Sequence, residues 1–218
     1  MLAGFSPLQA IANFKIGQLG HLISAFHTFY KAKKVKLSKR ILVFVLRGIV
    51  GSILGAYIVL QIPESVLKIF IYFAILILGF YFAFFKKDFE KPKNYNPKNI
   101  QLGSLLYFLS SIYSGILGAG NKVINVLIVS KFLNKNLLET NGFLFLSGVF
   151  KILFVVIIFG SKGVMNYKMS LPFMLDTIIG GLLSSKIMIK KGNKWSGRIM
   201  GVIVIAIAVL SIFQNVLI

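Results

Sequence analysis

The sequence predicts an all-α polytopic integral membrane protein, with about seven membrane-crossing helices and a broken re-entrant hairpin. Three observations carry that prediction. Of the 218 residues, 57% are apolar, above the roughly 45–50% usual in soluble domains. Apolar runs long enough to cross a bilayer recur along the whole chain. The 25 Lys and Arg, set against 5 Asp and Glu, gather in short clusters between those runs, as cytoplasmic loops do. Such a basic excess would suggest nucleic acid in a soluble chain, but this spacing excludes that partner in favour of the lipid bilayer.

The runs fall at 8–30, 41–61, 65–85, 101–118, 136–160, 169–187 and 197–217. The first follows Phe5-Ser6-Pro7 and ends at the basic loop 31–40. The second ends at the acidic turn Gln61-Ile-Pro-Glu64, and the third runs into Lys86. The segment 121–133 is apolar but only about 13 residues long, which suits a half-helix returning into the membrane. With 101–118 it makes a hairpin whose apex is Gly115-Ile-Leu-Gly118-Ala-Gly120-Asn121-Lys122. The last two runs are expected to be separated by a basic loop over 186–198.

Charge sets the orientation. Segments 31–40, 86–98, 131–135 and 186–198 hold 18 Lys and Arg, whereas the opposite side holds Lys162 and Lys168. The richer side is therefore cytoplasmic. That count closes only if 101–133 enters and leaves on one side.

An internal repeat underlies the arrangement. Laying 13–79 over 141–210 pairs Asn13 with Asn141, and Gly51-Ser-Ile-Leu-Gly55-Ala with Gly180-Gly-Leu-Leu-Ser184-Ser. Each unit of three crossings plus a hairpin has an odd number of crossings, so the second copy should lie inverted, as in secondary transporters. The expected organisation is a first repeat over 1–86, a basic linker over 87–100 and a second repeat over 101–218. The first repeat lacks its hairpin, and about 25–30 residues are expected to be missing before Met1 relative to a complete two-fold design.

These residues resemble the sulfite exporter TauE/SafE family of membrane permeases. The resemblance rests on Gly4-Phe5-Ser6-Pro7-Leu8-Gln9-Ala10-Ile-Ala-Asn13, on Ser114-Gly115-Ile-Leu-Gly118-Ala-Gly120, and on Glu139-Thr140-Asn141 opening the next helix. It spans nearly the whole chain. It implies a multi-pass transporter of the prokaryotic inner membrane, built from two related halves and moving small anions such as sulfur oxyanions or organosulfonates. Members usually begin with a glycine-rich hairpin that is absent here, and their second hairpin commonly continues with glycines where this chain has Asn121-Lys122.

A conduit for anions must replace lost hydration with donors and positive charge. Lys15, Arg47, Lys68, Lys122 and Lys151 lie outside the loop clusters. Lys68, a turn after Glu64, suits an interfacial snorkelling role. Lys122 adjoins Gly115, Gly118 and Gly120, which let backbone approach a ligand at a half-helix start; tight packing with an outward Lys122 is the alternative. Asn13, Gln18, Thr140 and Asn141 could bind substrate or join helices, and Lys15 and Lys151 are ambiguous in the same way. Arg47 and Asp176 each stand four residues before the matched Gly51 and Gly180. They could form a gating pair, act separately with Arg47 on substrate and Asp176 carrying a coupling proton, or each simply meet a nearby carbonyl or the headgroups. Glu139 is the other acidic candidate for coupling.

With no cysteine and two histidines six residues apart, neither a thiolate site nor a protein-only metal site is expected. No cofactor is expected. The chain holds no phosphate-binding Gly-x-x-x-x-Gly-Lys-Ser/Thr loop, and no paired carboxylates or nucleophile–base pair that would mark an enzyme. The expected function is a secondary permease with alternating access to a mid-membrane site, and the alternative is a shortened, non-transporting remnant or assembly partner.

Overall fold

A computed structural model describes residues 6–35, 38–73, 99–118 and 120–216, with side chains as far as residue 191. Its elements are α1 (Pro7–Lys31), α2 (Lys39–Gln61), α3 (64–73), α4 (Ile100–Ile116), α5 (Asn121–Phe132), α6 (Leu137–Ser161) and α7 (Tyr167–Val216). The described residues contain no strand. The later part of the span expected at 65–85, residues 1–5 and most of the linker 87–100 lie outside the described residues.

Local chemistry sets the helix starts. Ser6 caps α1 in a reciprocal box with Gln9, ahead of Pro7. Ser38 caps α2 through the Ile41 amide, and Asn136 caps α6 through the Glu139 amide. The hairpin is broken where the sequence expects it: α4 stops at Ile116, and α5 begins after Gly118 and Gly120, whose φ values of 80° and 68° belong to the left-handed region. Gly103 at the start of α4 packs on Phe132 at the end of α5, so the two helices fold back on each other. At 12 residues α5 rises about 18 Å, well short of the roughly 30 Å hydrocarbon core.

Among the described residues, three helical segments are long and apolar enough to cross a membrane: Lys39–Gln61, Leu137–Ser161 and Tyr167–Lys191. The 25-residue α1 is as long but more polar, and turns Lys15 and Ser24 into the protein. One expectation is corrected. The basic segment 186–198, read as a loop between the spans 169–187 and 197–217, is helical throughout, and α7 is a single 50-residue element. The reason is local: no proline occurs in 186–198, and an interior glycine such as Gly192 costs a helix only about 1 kcal/mol. A rod of that length runs about 75 Å, more than twice the hydrocarbon thickness.

Small residues decide which helices meet. Gly51 and Gly55 of α2 lie against the backbone of α4 at Phe108, Ile112 and Gly115, leaving no room for a Cβ. Gly17 and Gly20 of α1 meet Phe173 and Met174 of α7, and Thr177 donates to the Gly17 carbonyl at 2.7 Å. These contacts make α1 parallel to α7, and α2 parallel to α4. Phe29 meets Gly142 and Phe145, Leu22 meets Gly148, and Ile11 and Ala12 share a cluster with Ile158 and Phe159, so α1 and α6 are antiparallel. Phe44 on Phe143 and Ser52 on Lys151 make α2 parallel to α6. Gly180, the repeat partner of Gly51, has open space before it.

Gly115→Leu should therefore separate α2 from α4 and cost about 1–3 kcal/mol or more by overpacking, read as a lowered melting temperature in detergent. Gly180→Leu should leave it unchanged.

Candidate functional site

The broken hairpin places a polar cavity inside the bundle. The cavity holds about 150 Å³. Gly120, Asn121 and Lys122 enter it from the first turn of α5, Ser114 and Gly118 from the hairpin apex, Gln18 and His21 from α1, and Lys151 from α6. The apolar wall includes Leu144, Phe145 and Ile152. Among the described residues, its lining contains two ammonium groups and no carboxylate.

Among the described residues, neither cation has a counterion. Lys151 is 4% exposed. It donates to the Ser111 hydroxyl at 3.3 Å and lies 4.6 Å above the Tyr107 ring. Tyr107 is itself wholly buried and hydrogen-bonded to Ser147 of α6. Lys122 stands over the face of Phe145, 4.9 Å from the centroid. Behind the apex, Lys15 is fully buried and donates to the carbonyls of Ser114 at 2.6 Å and Leu117 at 3.3 Å. Rings and neutral dipoles of this kind soften the cost of a buried cation but do not cancel its charge. A small anion entering the cavity would.

The hairpin is tied across its own gap. The Ser110 hydroxyl lies 2.5 Å from Asn121 Oδ1 and 2.9 Å from Asn125 Oδ1, so one α4 side chain grips two successive turns of α5. The Gln18 carbonyl oxygen is buried with no hydrogen-bond partner, leaving an acceptor at the cavity wall.

Of the residues expected from sequence, Gly118, Gly120, Asn121 and Lys122 line the cavity together. Gly115 instead meets Ser52, Gly55 and Ala56 of α2. Asn13 accepts from the Asn166 amide at 2.8 Å, and Asn141 donates to the Leu137 carbonyl at 2.8 Å. Each of these repeat-matched asparagines keeps one buried amide atom unpartnered, Nδ2 of Asn13 and Oδ1 of Asn141. Arg47 bonds Ser104 and the Gln101 carbonyl of α4, whereas Asp176 is exposed on α7 beside Leu175. The two do not meet, because α2 and α7 pack on different partners. Glu139 occupies the first turn of α6, where a carboxylate complements the helix dipole.

His21 and Asn125 line the cavity without having been singled out for substrate. For Asn125 a signal existed: it stands one turn after Asn121, on the same helix face.

A bundle with membrane-length helices, a hairpin broken at two left-handed glycines and a cavity lined by two lysines at the break fits a membrane transporter in outline. The chain belongs to the TauE/SafE family: the model described as "Sulfite exporter TauE/SafE" matches residues 1–211. It is 25% identical over 211 residues to "Probable membrane transporter protein YfcA" of Escherichia coli strain K12, covering 97% of this chain and 77% of that protein. The proteins of that name in strains O6:H1 and O157:H7 match equally. No solved structure matches the chain. The protein is thus a multi-pass protein of the cell membrane.

A ligand at 100 times its dissociation constant stabilises its site by about 2.7 kcal/mol. Saturating sulfite, at matched ionic strength against chloride, should raise the melting temperature of the detergent-purified protein. The shift should vanish in Lys122→Ala and Lys151→Met.

Proposed function

We propose that the protein is a secondary permease that carries a small anion through the cavity at the hairpin break, by exposing it alternately to the two sides of the membrane. The observation that carries this reading is the pairing of Lys122 with Lys151 in a lining that has no carboxylate. Two cations in a low-dielectric site favour negative cargo and exclude cations of the same size. The family description names sulfite, and we take sulfite or an organosulfonate, a related sulfur oxyanion, as that cargo.

The helix directions support an inverted-repeat transporter. The sequence repeat matches α1 with α6 and α2 with α7, and each matched pair runs in opposite directions. Such pairs rock about a shared site in alternating access. Coupling to an ion gradient, or facilitated flux, requires no nucleotide site. Glu139 and Asp176 lie outside the cavity lining, so either would couple through helix movement rather than by touching cargo.

One observation favours the second reading, an assembly partner. The groove at Gly51 and Gly55 is filled by α4, whereas the matched Gly180 on α7 faces open space and its neighbours Leu175, Ile179 and Leu183 are exposed.

Proteoliposome flux distinguishes the two. Sulfite, thiosulfate, sulfoacetate and a carboxylate should be compared. The permease reading expects saturable uptake of at least one sulfur oxyanion. Lys122→Ala should weaken half-saturation by about ten-fold or more, the worth of one charge-assisted hydrogen bond. Absence of flux for all four anions would favour the assembly partner.

A further inference from the structure

The cavity explains Lys122 and Lys151, but Lys15 does not line it. Lys15 is wholly buried on α1, and its ammonium is spent on backbone. The amide of Gly118 bonds the Tyr113 carbonyl at 3.1 Å, skipping Ser114, and the Asn121 amide bonds Gly118 at 3.3 Å, skipping Leu117. The regular helix partners of the Ser114 and Leu117 carbonyls are thereby diverted. Lys15 takes both, at the end of α4 where the helix dipole is negative.

This bond crosses between two packed units. α1 runs with α7 and α4 runs with α2, both units also packing on α6, and Leu117 at the hairpin tip shares a core cluster with Ile11 and Ala12 of α1. Ser114, whose carbonyl the ammonium holds, and Gly118, which follows the held Leu117, both line the cavity. Gly118 is glycine for two reasons: its φ is 80°, and a Cβ would stand 2.7 Å from the Lys15 nitrogen.

We infer that Lys15 is a positioning residue that latches the hairpin tip to α1, so that each transport cycle needs this bond both to yield and to re-form. The inference rests on the permease reading for its role in transport, but the latch can be read without flux. Any movement of the α1–α7 unit past the α2–α4 unit must lengthen or break the two hydrogen bonds. Without the ammonium, two buried carbonyls lose their partner and the tip opens.

The chain has no cysteine, so Leu117→Cys in the full-length protein gives a single reporter at the tip, buried at 7% exposure in the parent. Its labelling by a membrane-impermeant maleimide in proteoliposomes should be about ten-fold faster with Lys15→Met and return near the parent rate with Lys15→Arg, which keeps the charge and donors. Gly118→Ala, which presses on the same bond from the other side, should also speed labelling and covers the case of a poorly folding Lys15→Met. In flux, Lys15→Met should lower the maximal rate about ten-fold with half-saturation nearly unchanged, the reverse of Lys122→Ala. Labelling that ignores Lys15→Met and Gly118→Ala, or a defect that Lys15→Arg shares in full, overturns the latch. Latch-dependent labelling in a protein that moves no anion rejects the permease reading alone.

Discussion

The structure is organised by the need to keep lysine charge inside a membrane protein without carboxylates beside it. Lys15, Lys122 and Lys151 converge on one short stretch of the hairpin, and each is met by carbonyls, a hydroxyl or an aromatic face. A charge at the bilayer centre costs at least about 2.5–3.5 kcal/mol on insertion scales. The surrounding dipoles reduce that cost and leave net positive charge facing a cavity. An anion is the solute we propose for such a cavity.

The break between α4 and α5 follows from the same need. An unbroken helix would hide its carbonyls and amides in its own ladder. Two left-handed glycines end that ladder within the membrane, so α4 offers carbonyls to Lys15 while the start of α5 forms part of the cavity wall. Glycines elsewhere let α2 lie directly on α4, which holds the hairpin in place. The polar gap is tolerated because it is enclosed by protein and tied by Ser110, Asn121 and Asn125.

Much of this was legible from the chain. Clustered charge and apolar run length pointed to the membrane class, and the short run 121–133 after the glycine-rich apex pointed to the hairpin. Lys122 was recognised because it adjoins that apex. Lys15 and Lys151 were visible as isolated cations, but one sequence cannot say which face of a helix looks inward when both faces are apolar. Their partners arise from helices about 100 residues apart along the chain, for Lys15 and Ser114, a pairing set only by packing. The α7 region failed for a local reason: Gly192 and a run of lysines resemble a loop, yet nothing there forbids helix. Arg47 and Asp176 matched in the repeat, but repeat equivalence carries no information on contact, and α4 claims Arg47.

The central claim is that a small oxyanion rests between Lys122 and Lys151. Selenite, a heavier mimic of sulfite, allows that to be seen directly in an anomalous difference map from crystals grown with it. The account expects a selenium peak in the cavity, within hydrogen-bond reach of both ammonium groups. At saturating selenite, a cavity without a peak, or selenium bound only at the basic loops, would contradict it.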